Sequence, residues 1–140
     1  MKSRLILIFA MVAGSLLLLA CSPASEQASV EVSCDDFMKD KHIAKEVQVP
    51  ADGSLTVTLH SNPTTGFEWE SAEITDQAVL QQTDHKFVPP EGDVPGAAGQ
   101  EVWTFKPLKK GTSTVSMEYS RLWEGGEKGE WTFNLTVVVK

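Results

Sequence analysis

Apolar and polar residues alternate along most of the chain after position 40. The period of two places successive side chains on opposite faces of a β-strand. Threonine fills many of the polar positions, as at Thr56 and Thr58, which suits strands with one face in water. The predicted inward-facing sets are Ile43, Val47 and Val49; Leu55, Val57 and Leu59; Phe67 and Trp69; Trp103 and Phe105; Val115, Met117 and Tyr119; and Trp131, Phe133, Leu135, Val137 and Val139.

Turn-forming residues separate these runs at short intervals. The turn signals are Asp52-Gly53, Asn62 to Gly66, Pro89-Pro90 with Gly92, Lys110-Gly111, and Gly125-Gly126. Only Ser71 to Leu80 has a pattern compatible with a helical turn. Short strands with frequent turns and no long helix predict an all-β fold in which two sheets pack as a β-sandwich.

The first 20 residues have the features of an export signal. Basic residues precede an apolar run from Leu5 to Leu19, and the segment ends at Ala20, followed directly by Cys21. This order is similar to the lipobox of bacterial lipoproteins, in which the cysteine is acylated. The alternative is an ordinary secretory signal with a coincidental cysteine. We expect a lipid anchor on Cys21 and a place in the cell envelope, and Ser22 favours the outer membrane if the cell has one.

Composition divides the chain into three parts. Residues 1–20 are the predicted signal peptide, residues 21–40 a lipidated flexible tether rich in small and polar residues, and residues 41–140 one β-sandwich domain. With Cys21 lipidated, Cys34 has no partner for a disulfide, so the fold is expected to depend on its core. After the signal, no stretch is long and apolar enough to span a membrane.

The chain is acidic, and this restricts its partners. It holds 12 basic and 19 acidic residues, a formal net charge of −7. The predicted signal holds two of the basic residues and none of the acidic ones, so the mature chain would carry −9. Phosphate binding needs clustered lysine and arginine, and we therefore expect no nucleic-acid partner.

Residues that could do chemistry are scattered. His42, His60 and His85 have neither the spacing of a metal site nor an adjacent nucleophile, so they are expected to be solvated or interfacial. The Asp35-Asp36 pair lies in the predicted tether, where no rigid scaffold would tune it for acid-base work. We predict that the protein is not an enzyme and has no catalytic residue, no metal and no cofactor.

One connection is unusually constrained, Asn62-Pro63-Thr64-Thr65-Gly66-Phe67. Pro63 fixes its own φ and restricts Asn62 to extended geometry, while Gly66 permits a positive φ. Asn62 and the threonines have short polar side chains that bond nearby backbone. A tight hairpin turn would explain any one of these residues, but together they predict a preformed loop that presents its tip.

Two later connections carry further motifs. Gly96-Ala97-Ala98-Gly99 lies within the connection from Pro89 to Gln100, and Arg121-Leu122-Trp123 begins the next glycine-rich connection. The glycines provide either flexibility alone or a close approach to another backbone.

The four tryptophans divide into two groups. Trp69, Trp103 and Trp131 are in phase with the apolar faces of their strands and are expected in the core. Trp123 is not in phase with a strand, and we expect an exposed anchor for an interface. The alternative is a lid that folds back over the end of the sandwich.

In order and approximate spacing, the three motifs resemble those of the chagasin-like inhibitors of papain-type cysteine peptidases. That family has a central Asn-Pro-Thr-Thr-Gly-aromatic loop, a Gly-x-x-Gly loop and an Arg-Pro-Trp loop, of which the first is the specific one. The resemblance extends from about Lys41 to Lys140. Leu122 stands where the family usually has proline, so the third loop keeps its arginine and tryptophan but lacks a rigid joint.

The resemblance implies an immunoglobulin-like β-sandwich of about seven or eight strands and a reversible, monomeric inhibitor with no chemistry of its own. The loop from Asn62 to Phe67 would enter the centre of a papain-like peptidase's active-site cleft. The segment from Gly96 to Gly99 would lie along the non-primed side, and Trp123 would stack on the primed side with Arg121 at its rim.

A surface-anchored sandwich that binds glycan or assembles with envelope proteins through Trp123 and the acidic rim is the alternative function. The rigid, threonine-tipped loop favours occlusion of a cleft over glycan binding.

Overall fold

The computed structural model describes residues 25–140 except Asp93. The predicted signal peptide, 1–20, and the predicted lipidation site, Cys21, lie outside the described residues. Within 25–140, Asp93 aside, no helix has the length and apolar character needed to cross a membrane.

The described part of the chain is built almost entirely of strands. In chain order, its elements are β1 (Gln27–Val32), α1 (Cys34–Lys39), β2 (His42–Val49), β3 (Ser54–Ser61), a 3-10 turn (Pro63–Thr65), β4 (Glu68–Trp69), β5 (Glu73–Ile74), β6 (Leu80–Val88), β7 (Gly99–Pro107), β8 (Gly111–Ser120) and β9 (Trp131–Val139).

The strands form two sheets that enclose one core. The first sheet has the order β1-β3-β7-β6, and the second has the order β2-β9-β8-β4, with β5 also paired to β8. β1 is parallel to β3 and β2 is parallel to β9, whereas the other pairs are antiparallel. The predicted β-sandwich is confirmed. It has nine strands in the described residues because β1, β5 and β6 add to the six strands that the pattern indicates.

The predicted alternation of the central strands is confirmed by burial. In β3, β7, β8 and β9 the predicted inward-facing residues are buried, and the residues between them are partly or fully exposed. Ile43 and Val47 are only half-buried because β2 is an edge strand. Trp69, Trp103 and Trp131 lie in the core, as their phase predicts.

The domain begins earlier than predicted. β1 pairs with β3 from Gln27 opposite Ser54 to Val32 opposite Leu59. Five residues later, Phe37 of α1 is fully buried. The prediction of a flexible tether over residues 21–40 is therefore wrong from Gln27 onward. The start of the folded domain moves from Lys41 to Gln27. The segment carries few apolar residues, so its pattern did not reveal that these few reach the core.

Local chemistry explains why α1 forms. Ser33 and Asp36 make a capping box: the Ser33 hydroxyl accepts from the Asp36 N–H at 3.2 Å, and the Asp36 carboxylate accepts from the Ser33 N–H at 2.9 Å. The Ser33 hydroxyl also donates to the Asp36 carboxylate at 2.7 Å, and the hydrogen bonds that the carboxylate accepts from the Ser33 side chain and backbone lower the pKa of Asp36. The cap aims Phe37 at the core, where its ring stacks on Trp131 with centroids 4.7 Å apart.

We expect Phe37→Ala to lower the free energy of unfolding by about 3 kcal/mol, since it removes a fully buried ring and leaves a cavity. Met38→Ala is the matched control, because Met38 lies next to Phe37 on the same helix but is 73% exposed. The control should change stability by less than about 0.5 kcal/mol. Urea denaturation of residues 25–140 measures both, and equal effects would show that α1 is not part of the core.

Candidate functional site

Three loops lie at the same end of the sandwich. The central loop, residues 62–67, follows β3; the second loop, residues 89–98, joins β6 to β7; and the third loop, residues 121–130, joins β8 to β9. In the first sheet Ser61 pairs with Gly99, and in the second sheet Tyr119 pairs with Trp131. The strands therefore bring together motifs that are far apart in the sequence.

The central loop is held by hydrogen bonds within itself. Asn62 Oδ1 accepts from the hydroxyl of Thr64 at 2.6 Å and from its N–H at 3.3 Å. The Asn62 carbonyl accepts from the Thr65 hydroxyl at 2.7 Å and from its N–H at 3.1 Å. Gly66 closes the turn with a φ of 82°, and its N–H donates to the Pro63 carbonyl at 3.0 Å. The prediction of a preformed loop with a positive φ at Gly66 is confirmed.

Tyr119 supports the central loop from the core. Its hydroxyl accepts from the Asn62 N–H at 2.8 Å, and its ring lies 5.3 Å from Phe67 and 4.9 Å from Trp131. Burial raises the pKa of Tyr119, although the hydrogen bond from Asn62 opposes this shift. The hydroxyl therefore stays neutral at physiological pH, and a core residue fixes where the loop begins.

The third loop packs on the central loop. The Arg121 guanidinium lies 4.4 Å from the centre of the Phe67 ring, and Arg121 Nε donates to the Thr65 carbonyl at 3.2 Å. The Trp123 ring lies against Gly66, where a Cβ atom would collide with Cη2. Trp123 nevertheless remains 54% exposed, so the expectation of an exposed side chain is confirmed and the lid over the core is not formed.

The second loop contacts the central loop through one hydrogen bond. Asn62 Nδ2 donates to the Gly96 carbonyl at 3.1 Å. Gly96 is exposed with a φ of 77°, and Ala97 and Ala98 are half-buried. Gly99 differs from its neighbours because it is the buried first residue of β7, where a Cβ atom would collide with Val88. Its glycine is thus explained by packing within the first sheet.

The predicted site residues differ in exposure. Pro63, Thr64 and Thr65 form the exposed tip. Phe67 is half-buried between Tyr119 and Arg121, where it supports the loop. The other exposed residues are Gly96, Leu122 and Trp123.

Two residues at this end were not predicted from the sequence as parts of the site. Tyr119 was expected only as a core residue, although its position two residues before Arg121 places it at the base of the loops. Lys128 Nζ donates to the carbonyls of Arg121 and Trp123, the latter at 3.1 Å. A lysine in a glycine-rich connection carries no sequence signal for such a contact.

Carboxylates line one flank of the third loop. Glu70, Glu73 and Glu118 border a surface depression together with Leu122. A hydrogen bond with Glu70, partial burial and the charges of Glu70 and Glu73 raise the pKa of Glu118. This flank therefore gives the end of the sandwich a negative side.

The surroundings of two histidines are defined by the structure. His85 Nε2 lies 2.9 Å from Glu101 Oε1, and its ring stacks on Trp103 at 4.5 Å. Burial lowers the pKa of His60. Within residues 25–140, Asp93 aside, no group of three or more histidine, cysteine, aspartate or glutamate side chains is placed to hold a metal ion.

Comparison with known proteins decides the family. Residues 48–137 match the family model described as chagasin family peptidase inhibitor I42. The chain belongs to the chagasin family. It is 36% identical to Amoebiasin-2 of Entamoeba histolytica over 105 residues, which are 74% of this chain and 85% of the relative. The prediction that the protein is not an enzyme is confirmed, since the family consists of peptidase inhibitors.

Solved structures share the fold. The crystal structure of the cysteine protease inhibitor EhICP2 from Entamoeba histolytica has a TM-score of 0.59 at 22% identity, covering 84% of this chain and 100% of that one. The structure of PbICP-C in complex with falcipain-2 has a TM-score of 0.56 at 15% identity, covering 81% and 99%. The immunoglobulin-like sandwich implied by the motifs is confirmed by this likeness.

The contact between Gly66 and Trp123 can be tested with a matched pair of glycines. Gly66 and Gly92 both have a φ of 82°, but a Cβ atom at Gly92 would have no neighbour within 4 Å. Both alanine variants should lose about 1–2 kcal/mol of stability to the left-handed backbone. Gly66→Ala should lose about 1 kcal/mol more, because it also displaces the Trp123 ring.

Denaturation curves and the chemical shift of the Trp123 indole N–H measure these effects. The indole resonance should move in Gly66→Ala and stay in place in Gly92→Ala. Equal stability losses with an unmoved indole would mean that Trp123 does not pack on Gly66 in solution.

Proposed function

We propose that this chagasin-family protein reversibly inhibits papain-like cysteine peptidases by blocking the active-site cleft with its three loops. The observation that carries the proposal is the preformed, exposed tip Pro63-Thr64-Thr65, with a further loop in contact on each side. Family membership supports inhibition of peptidases, and the loop geometry supports the manner of binding.

The central loop would enter the cleft without serving as a substrate. A peptidase cleaves a segment whose carbonyl is free to meet the nucleophile. Here the carbonyls of Asn62 and Pro63 accept hydrogen bonds from the N–H groups of Thr65 and Gly66. A 3-10 turn stabilised in this way would have to open before either bond could be attacked.

The flanking loops would supply the rest of the interface. Large apolar side chains exposed at the rim of a loop cluster are typical of binding surfaces. Val94 of the second loop and Leu122 and Trp123 of the third are such residues. Because contacts between the loops already order them, binding would cost less conformational entropy than it would for free loops.

The partner class is supported by the relatives that share the fold. EhICP2 is described as a cysteine protease inhibitor, and PbICP-C is described in complex with falcipain-2. No observation on this chain favours the glycan-binding or envelope-assembly alternative.

We also propose that Cys21 carries a lipid and holds the protein in the cell envelope. Gln27 pairs with Ser54 at the start of β3, whereas the central loop follows the end of β3. The anchor would therefore join the sandwich at the end opposite the loops. Six residue steps from Cys21 to Gln27 reach at most about 20 Å, so the domain would sit near the membrane with its loops pointing away.

We expect residues 25–140 to abolish papain activity stoichiometrically in a titration with a fluorogenic substrate, and the activity should return on dilution. Trypsin should keep full activity.

Trp123→Ala should weaken inhibition by about 2 kcal/mol, because it removes an exposed aromatic anchor, with little change in Tm. Leu108→Ala is the control, since Leu108 is also an exposed apolar residue but follows β7 at the opposite end.

The inhibitor proposal fails if papain and related peptidases keep full activity at micromolar protein. The role of Trp123 fails if Trp123→Ala lowers Tm sharply and leaves inhibition per folded molecule intact.

Membrane attachment should depend on Cys21. Cys21→Ser in the full chain should move the protein from the membrane fraction to the soluble fraction and abolish labelling by a radioactive fatty acid, because a single residue carries the anchor. Cys34→Ser is the control and should appear in the same fraction as the chain without a substitution. Unchanged labelling of Cys21→Ser would refute the lipid anchor.

A further inference from the structure

The third loop lacks a proline but is held by a lysine. Lys128 Nζ donates to the carbonyl oxygens of Arg121 and Trp123, the two residues on either side of Leu122. The ammonium therefore bridges the carbonyls on either side of position 122, where a proline would otherwise have fixed the φ angle. We propose that Lys128 is the positioning residue that presets the third loop of this inhibitor.

Other hydrogen bonds make the loop a closed unit. The Arg121 N–H donates to the Glu127 carbonyl at 2.7 Å, and the Gly126 N–H donates to the Trp123 carbonyl at 3.0 Å. At the base of the loop, the Gly129 N–H donates to the Ser120 hydroxyl at 2.9 Å. Lys128 lies between the base and the tip, where its side chain ties the returning segment to the outgoing one.

The charge of Lys128 is directed at backbone despite acidic neighbours. Glu127 and Glu130 are close in sequence, yet the ion pairs among the described residues are Lys41 with Glu130 and His85 with Glu101. An ammonium has three donors, and hydrogen bonds from a charged donor are stronger than those between neutral groups. Two carbonyls that converge on one ammonium fix the direction of the chain through Leu122.

Two observations at position 122 are compatible with a proline there. Among the described residues, every residue with a positive φ is a glycine, so the φ of Leu122 is negative. The Leu122 N–H donates to no protein acceptor in the described part of the chain. Proline would therefore remove no hydrogen bond there and would add a fixed φ.

The test is a double-mutant cycle of Lys128→Ala and Leu122→Pro, with inhibition of papain as one readout. Lys128→Ala should raise the inhibition constant about tenfold, because only a fraction of molecules would then present Trp123 correctly. Leu122→Pro alone removes an exposed side chain of the proposed interface, so its own inhibition constant is the reference for the second half of the cycle. In that background Lys128→Ala should raise the inhibition constant less than about threefold, because the proline already orders the loop.

The second readout is the mobility of the free protein. The heteronuclear NOE of the Trp123 indole N–H should fall in Lys128→Ala and recover in the double variant. Lys128→Arg should retain the original values, because it keeps a cationic donor. Lys110→Ala, which removes the same charge at the opposite end of the sandwich, should change neither readout.

Two results would overturn the inference. If Lys128→Ala weakens inhibition while the indole NOE is unchanged and Leu122→Pro does not rescue it, Lys128 contacts the peptidase directly. If neither readout changes, its hydrogen bonds do not order the loop. The affinity effect rests on the proposed function, but the NOE measurement does not. An ordered loop in a protein that fails to inhibit papain would refute the proposed function and leave the role of Lys128 in place.

Discussion

The hydrogen bond from the Asn62 N–H to the Tyr119 hydroxyl joins the core to the end of the sandwich that carries the three loops. The Tyr119 ring lies between Trp131 and Phe67, so its hydroxyl has a fixed position at the base of the central loop. Without this acceptor a partly buried N–H would lose its partner, at a cost of about 1 kcal/mol or more. Arg121 packs on the Phe67 ring, which itself lies against Tyr119. The position of the third loop therefore also depends on the Tyr119 ring.

Asn62 connects the core, the central loop and the second loop. Its backbone N–H reaches the core, its Oδ1 fixes Thr64 within the central loop, and its Nδ2 holds the Gly96 carbonyl of the second loop. The amide carries its acceptor and its donor on two separate atoms, which a hydroxyl does not. An aspartate would keep the bonds to Thr64 but could not donate to the second loop.

The sequence predicts elements where one physical signal is strong and local. Central strands alternate because one face is buried, and the central loop is restricted by Pro63 and Gly66 themselves. β6 lacks the signal, since every residue after Leu80 is exposed on this edge strand. In α1, one phenylalanine carries the burial, and no period exists to detect. Contacts such as those of Lys128 depend on where a flexible side chain points, which spacing does not determine.

In the proposed binding mode, the rigidity of the central loop and its resistance to cleavage would have the same origin. To become an extended substrate, the segment would have to break the hydrogen bonds that Thr65 and Gly66 donate to Asn62 and Pro63. Extension would also draw the Thr65 carbonyl away from Arg121 and Gly66 away from the Trp123 ring. Opening one turn therefore costs contacts in two loops. Because these contacts lie within the free protein, a peptidase would gain none of them back when it pulled the loop straight.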